Sequence, residues 1–397
     1  MRADPRGLAS ALAFAATAAG VAYTAIATVR VAQFGRRLRA ERRRTQIAGF
    51  IAAPPLGPTI AVLKPVSGLE PGLEQNLRSF CDQRYGTFHV VLGVLAPDDP
   101  ALPVLRRVAA AFPGRATVVA GDGVARCANP KIATLLPMLE HARGDVLVIA
   151  DSDMRVTPDY LGTVAAAFDD PRIAAATALY RGEPSGADIA SVLGAMWMTE
   201  QFAPSVLVAN ALEPLAYCFG STMAVRRAVL DAAGGLSALG NELADDHHLG
   251  RLVRNAGYRV ALLPYVVAAA VHEPSVRALL RHELRWARTI RTLRPASYAG
   301  LLVTYPLVLA LAHLALARNR RRAGYLLSGA LIARLVLQAV AHSVFGSEHR
   351  GSPRLLAVRE ALSAAVWLLG VPGRSVRWRE RDYRTTRDGR IAPGPPR

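Results

Sequence analysis

Leu8 to Val29 is a run of 22 residues without a single charge. As a helix it would be about 33 Å long, enough to cross a hydrocarbon core of about 30 Å. Arg36, Arg37, Arg39, Arg42, Arg43 and Arg44 follow it. Basic residues flanking a span stay on the cytoplasmic side, so the run reads as a signal anchor with its N-terminus outside. A cleaved signal peptide is the alternative. The apolar run is longer than a typical signal core, and a basic cluster is not the start of a mature secreted chain. Residues 1–35 are therefore expected to form an anchor helix and 36–58 a basic linker.

The 397 residues leave room for a large domain beyond the anchor, and 52% hydrophobic content excludes a disordered chain. Cys81, Cys127 and Cys218 are too few for a disulfide scaffold and lack close metal-ligand spacing; they fit a reducing compartment. Between 59 and 272, apolar runs (Ile60–Leu63, His89–Leu95, Thr117–Ala120, Val146–Ala150, Ile173–Leu179) alternate with helical patterns at Leu102–Phe112 and Lys131–His141. That alternation predicts an α/β domain with a mostly parallel sheet, whose ligands bind beyond the carboxyl ends of the strands.

Residues 273–295 read as an amphipathic helix. Arg277, Arg281, Arg285, Arg288, Arg291 and Arg294 repeat every three or four positions along one face. A cationic stripe of this kind suits lipid headgroups or a diphosphate. Residues 296–372 hold three greasy segments, Ala296–Ala317, Ala323–Phe345 and Leu355–Val371, and a basic tail occupies 373–397. Arg334 and the Arg359–Glu360 pair would each cost roughly 2.5–3.5 kcal/mol at a bilayer centre. If the loop Arg318–Arg322 and the tail are both cytoplasmic, Ala296–Ala317 must be re-entrant or interfacial, with the next two segments forming a hairpin. The net charge of +18 calls for an anionic partner. The arginines gather beside apolar segments without aromatic platforms, which argues for a membrane and against nucleic acid.

Five features carry chemistry. Asp151-Ser152-Asp153 follows Val146–Ala150, and two carboxylates at that spacing can share a hard divalent cation, which would neutralise a diphosphate. Asp99, in Pro97-Asp98-Asp99-Pro100, follows Val90–Leu95 and can accept hydrogen bonds from a base or ribose; alone it reads as a turn. Asp246, in Asp245-Asp246-His247-His248, heads a helix, as a cap or as a general base. Adjacent helical positions diverge by about 100°, so the two histidines do not make a zinc site. Trp286 within the arginine stripe suits an interfacial or stacking role. Lys131, in Asn129-Pro130-Lys131, and Lys64, in Leu63-Lys64-Pro65, are the only lysines in a chain otherwise served by arginine; both fit compact phosphate contacts near strand ends.

The order of Asp99, Asn129-Pro130-Lys131, Asp151-Ser152-Asp153, Asp246 and His282-Glu283-Leu284-Arg285-Trp286 resembles the ceramide glucosyltransferase-like family of glycosyltransferases, family-2-like enzymes of the GT-A fold. The likeness covers about Ile60 to Pro295. Leu63–Gly68, Ala150–Arg155, Val271-His272-Glu273-Pro274 and Arg281–Arg291 look most like its bacterial hopanoid-biosynthesis branch.

The resemblance implies that Asp99 contacts the uracil and ribose of a UDP-sugar donor and that Lys131 supports nucleotide binding. Asp151 and Asp153 would hold Mg²⁺ or Mn²⁺ on the diphosphate, and Asp246 would act as base. Arg285, Trp286 and His282 would bind the donor and shape the acceptor entrance; His282 stands where the wider family has Gln or Arg. The expected reaction is inverting transfer of N-acetylglucosamine from UDP-N-acetylglucosamine to a hydroxyl of bacteriohopanetetrol, at the cytoplasmic face of a bacterial inner membrane. A ceramide glucosyltransferase using UDP-glucose and a non-catalytic membrane-associated binder of anionic partners are the alternatives.

Overall fold

A computed structural model describes residues 5–50, 57–347, 352–372, 375–378, 381–385 and 390–393. Residues 51–56 of the expected linker and residues 373–374, 379–380, 386–389 and 394–397 of the tail lie outside the described residues. From the N-terminus, α1 (Pro5–Phe50) leads to β1 (Ile60–Val66), α2 (Leu73–Cys81), β2 (Phe88–Val94), α3 (Leu102–Ala111), β3 (Ala116–Ala120), α4 (Pro130–Leu139) and β4 (Val146–Ile149). Next come β5 (Met154–Arg155), α5 (Tyr160–Ala167), β6 (Ile173–Pro184), α6 (Ile189–Trp197) and α7 (Ala203–Leu212). β7 (Met223–Arg226), α8 (Arg227–Ala232), α9 (Asp245–Asn255) and β8 (Arg259–Val271) complete the α/β part. The helices α10 (Val276–Leu293), α11 (Pro295–Gly300), α12 (Pro306–Leu316), α13 (Arg320–Phe345) and α14 (Leu356–Gly370) follow.

The stretch 36–50, expected as linker, continues the apolar N-terminal helix: α1 runs unbroken for 46 residues. Between Val21 and Phe50 it contains no proline and only two glycines, Gly35 and Gly49, so nothing breaks the helix where charge replaces apolar residues. The chain forms two compact units. A sheet unit comprises Arg37–Arg181, Glu213–His272 and Glu380–Arg397; a helical unit comprises Met1–Arg36, Gly182–Leu212 and Glu273–Arg379. The segment Gly182–Leu212, expected within the 59–272 domain, thus belongs with the helices. Its apolar α6 buries Ala190, Leu193 and Met196 in one cluster with Leu279 of α10.

The sheet has eight strands in the order β3-β2-β1-β4-β7-β6-β8-β5. β3, β2, β1 and β4 are parallel, whereas β7 pairs antiparallel with β4 and β6, and β5 antiparallel with β8. The α/β class is as expected; the sheet is mixed rather than mostly parallel. The strands of this sheet that the sequence pattern misses are the two-residue β5, β7 and β8. β7 is only four residues long, and β8 is a 13-residue run without the punctuation that flags shorter strands. Every residue of β1 is buried, as a central strand covered on both faces requires.

In the helical unit each buried charge has a partner. Arg359 and Glu360 are neighbours in sequence but diverge around α14, so they do not pair with each other. Arg359 instead makes a bidentate ion pair with Glu283 of α10, with both N···O distances 2.7 Å. Glu360 lies 3.0 Å from Arg334 Nε and accepts the main-chain N–H of Leu307 at the first turn of α12. Glu200, in a π-helical turn at Met198–Phe202, accepts from Gln338 (3.0 Å) and lies 2.9 Å from His342 Nε2. Gly20 of α1 lets that helix approach the bend before α12, where a Cβ would meet Val303 O at 3.0 Å and Pro306 Cβ at 3.1 Å. Close approach at a small residue and buried polar pairs are how helices associate without a hydrophobic drive between them.

Candidate active site

The site grows from the carboxyl ends of β1 and β4, which are adjacent and parallel. Leu63 pairs with Ile149, so Lys64 and the Ala150–Asp153 turn emerge side by side. Lys64 is fully buried, its ammonium 3.9 Å above the Phe80 ring, and it donates a short hydrogen bond to the main-chain oxygen of Asp151. Burial brings its pKa down to about 7 against the attraction of Asp153 and Asp151. Lys64 therefore holds the acidic turn from beneath.

Lys131 stands at the first turn of α4, and the sequence explains its position. Asn129 caps that helix: its side chain accepts from the N–H groups of Lys131 (2.9 Å) and Ile132 (3.2 Å), and Pro130 occupies the next position, where no N–H is needed. The Asn129 amide also donates to Glu242 O (3.1 Å), and Asn129 N donates to Gly240 O (2.8 Å). One residue thereby ties α4 to the loop that leads into α9. Across this joint Lys131 Nζ lies 2.7 Å from Asp151 Oδ1 and 3.1 Å from Asp245 Oδ2. Burial opposes its charge, but Asp151 and Asp245 raise its pKa well above the usual lysine range.

Asp245 and Asp246 open α9, where the helix dipole favours negative charge. Burial, and then the Asp245 charge, push the Asp246 carboxyl up to about 7, while Lys131 pulls it down. Burial, followed by Asp151 and Glu70, likewise pushes Asp153 up to about 7, opposed by Lys64. The charges of Asp246, Asp153 and Asp151 all act, after burial, to raise the Tyr180 phenol. The sheet unit therefore brings Lys131, Asp151, Asp153 and Asp246 into one electrostatic cluster, together with Lys64, Asp245 and Tyr180.

Asp99 sits at the next strand end. Its carboxylate accepts the N–H of Gly68 (3.0 and 3.1 Å to its two oxygens) and of Ala101 (2.8 Å), joining the loops after β1 and β2. Gly68 has φ +74, a conformation that favours glycine. His282, Arg285 and Trp286 belong to the helical unit, on α10. His282 Nδ1 lies 2.7 Å from Glu273 Oε1, and its ring packs 4.1 Å from that of Trp286, which stacks on Trp197 at 4.9 Å. Trp197 in turn stacks on Phe202 at 5.6 Å. His247 stacks on Tyr217 and His248 faces Glu242 at 2.8 Å, so the histidine pair is divided between two environments.

The residues that sequence reasoning did not single out are Asp245, Tyr180, Trp197 and Gly220. Asp245 was legible only as a neighbour of Asp246. Gly220 matters for its missing side chain: a Cβ there would collide with the Asp151 carboxylate. Among the described residues no three His, Cys, Asp or Glu side chains gather closely enough to enclose a metal. Asp151 and Asp153 are hard oxygen donors whose mutual repulsion a divalent cation would relieve, so the pair fits Mg²⁺ or Mn²⁺ if a diphosphate and water complete the shell.

The sequence from 12 to 391 matches the model of the family described as Glycosyl transferase family 21. The chain belongs to that family. Its mixed α/β sheet, with the acidic turn after β4, is the GT-A-like arrangement expected of such a member. Similar proteins include ceramide glucosyltransferase 1 of Caenorhabditis elegans, 25% identical over 255 residues, which cover 64% of this chain and 53% of that protein. An N-acetylglucosaminyltransferase of Bradyrhizobium diazoefficiens is 26% identical over 250 residues, 58% of this chain and 49% of that protein. The chain spans about half the length of these relatives. Among solved structures, a mannosyltransferase of Pyrobaculum calidifontis in complex with GDP-Man and Mn²⁺ aligns over 88% of this chain and 99% of its own, with 19% identity and a TM-score of 0.47.

Proposed function

We propose that this family 21 member is a membrane-bound inverting glycosyltransferase that moves a sugar from a UDP-sugar to a hydroxyl of a lipid. The observation that carries the reading is the cluster of Lys131, Asp151, Asp245 and Asp246, in which one carboxyl, Asp246, has its pKa brought to about 7. A general base works best when its pKa lies near the working pH. The acceptor oxygen attacks the anomeric carbon from the face opposite UDP, and the carbon–oxygen bond to the diphosphate breaks with its electron pair passing to UDP. Asp246 takes the acceptor proton. Lys131 holds the Asp151 and Asp245 carboxylates in place. Asp151 and Asp153 would hold Mg²⁺ or Mn²⁺, which supplies positive charge to the leaving diphosphate. By position in the family motif, Asp99 serves the uracil and ribose, and His282, Arg285 and Trp286 serve the donor and the acceptor entrance.

For the acceptor, the motifs Leu63–Gly68 and Arg281–Arg291 support a hopanoid polyol, bacteriohopanetetrol, with UDP-N-acetylglucosamine as donor. Similarity to a ceramide glucosyltransferase supports the second reading, UDP-glucose and ceramide. The apolar helices support placement in a membrane, in this reading the bacterial inner membrane with the sheet unit cytoplasmic. The test is transfer by the purified chain from each UDP-sugar to hopanoid and ceramide extracts, with products weighed by mass spectrometry. Asp246→Asn is expected to lower turnover by about 10²-fold or more while UDP binding stays within a few-fold. Near-normal turnover would remove Asp246 as the base.

A further inference from the structure

The loop that delivers Asp245 and Asp246 is built around a buried acid outside the cluster described above. Glu242 is 8% exposed and His248 1% exposed, and Glu242 Oε2 lies 2.8 Å from His248 Nε2. Two buried polar groups in contact this close tie the backbones at 242 and 248 together. Glu242 precedes the two aspartates and His248 follows them, so the contact closes the segment 242–248 into a short clasp with Asp245 and Asp246 at its centre. The main chain of Glu242 is held as well: its oxygen accepts from the Asn129 side chain (3.1 Å), and its N–H reaches Leu239 O (3.2 Å). Asn129 is the residue whose cap sets Lys131. Within the clasp, His248 N donates to Ala244 O (3.0 Å), and Cys218 N donates to Asp246 O (3.1 Å).

We infer that Glu242 is a positioning residue, which through His248 and Asn129 fixes the Asp245–Asp246 turn against Lys131. The inference rests on the reading of Asp246 as base. Glu242 touches neither of the aspartates' carboxylates nor Lys131 in the contacts described, so its effect passes through the backbone it pins. Glutamine keeps a polar oxygen within reach of the His248 ring; alanine keeps only the main-chain bonds. Displacing a reacting group by about 1 Å costs on the order of 10²-fold in rate, so a modest slackening of the clasp is measurable.

The experiment compares Glu242→Ala and Glu242→Gln in the full chain, reading kcat, KM for the UDP-sugar and hydrogen exchange of the amides of 244–249. Glu242→Ala is expected to lower kcat by about tenfold or more, leave KM within about threefold and speed exchange across 244–249. Glu242→Gln is expected to restore kcat to within about threefold and to exchange like the parent. If Glu242→Ala does not fold, Glu242→Asp, one methylene shorter, should show the same split. Glu242→Gln falling as far as Glu242→Ala, equal losses in kcat and KM, or unchanged exchange in Glu242→Ala would each overturn the inference. A parent chain that transfers no sugar at all would instead sink the enzymatic reading, while the exchange comparison would still judge the clasp.

Discussion

The Asp246 carboxyl gives the pH dependence its sign, and Lys131 opposes the burial that raises it. Asp246 is a base only when deprotonated, and burial with the Asp245 charge raises its pKa to about 7. Activity should therefore climb with pH to a plateau above about 7, losing close to tenfold per unit on the acid side. Lys131 lowers that pKa, so Lys131→Met should move the acid limb of a kcat/KM profile to higher pH; an unmoved limb would detach the limb from Asp246. Gly220 acts at the same scale through space alone. Gly220→Ala places a methyl where the Asp151 carboxylate lies, and is expected to weaken metal-dependent UDP binding by about tenfold or more, read by calorimetry with Mn²⁺. Affinity equal to the parent's would show that the carboxylate relocates freely.

At the scale of elements, the Glu283 within the His282–Trp286 motif joins α10 to α14 through Arg359. Motif membership alone does not separate it from Arg285 or Trp286; burial does, since Glu283 and Arg359 are 3% and 1% exposed. Removing one partner leaves the other charge buried and unpaired, so Arg359→Met should destabilise by about 3–5 kcal/mol, and Glu283→Leu with Arg359→Met by less. Thermal unfolding in detergent checks both; a double variant no better than the single would refute the pairing account. The alternating pattern located β1 to β4 and the first part of β6 to within a few residues. It did not reveal that β6 ends in the helical unit, because an apolar strand and the apolar helix after it offer similar hydropathy.

For the whole molecule, two described helices are long and apolar enough to cross a membrane, within Pro5–Arg44 and Arg320–Phe345. Pro295–Thr304 and Pro306–Leu316 are bent 66° from each other, as a broken span or a re-entrant loop would be. α14, with 15 residues, is only about 22 Å long and falls short of a perpendicular crossing. The segment Arg318–Arg322 decides between the two forms of the bent pair. Positive charge retained in the cytoplasm predicts the re-entrant form, so single cysteines there should react with an impermeant maleimide only from the cytoplasmic side. Labelling from outside would make the bent pair a broken crossing.

The sequence by itself determined the apolar N-terminal helix, the α/β class, the amphipathic α10 and the acidic residues at successive strand ends, because these depend on local periodicity and on chain order. Only the tertiary structure decided that Lys131 spans Asp151 and Asp245, that Arg359 takes Glu283 and Glu360 takes Arg334, and that Gly220 makes room for a carboxylate. These partners are separated by 20 to 114 positions along the chain. No local pattern encodes which distant side chain will share a buried space, since that choice is made by strand order and by the helices packed against one another.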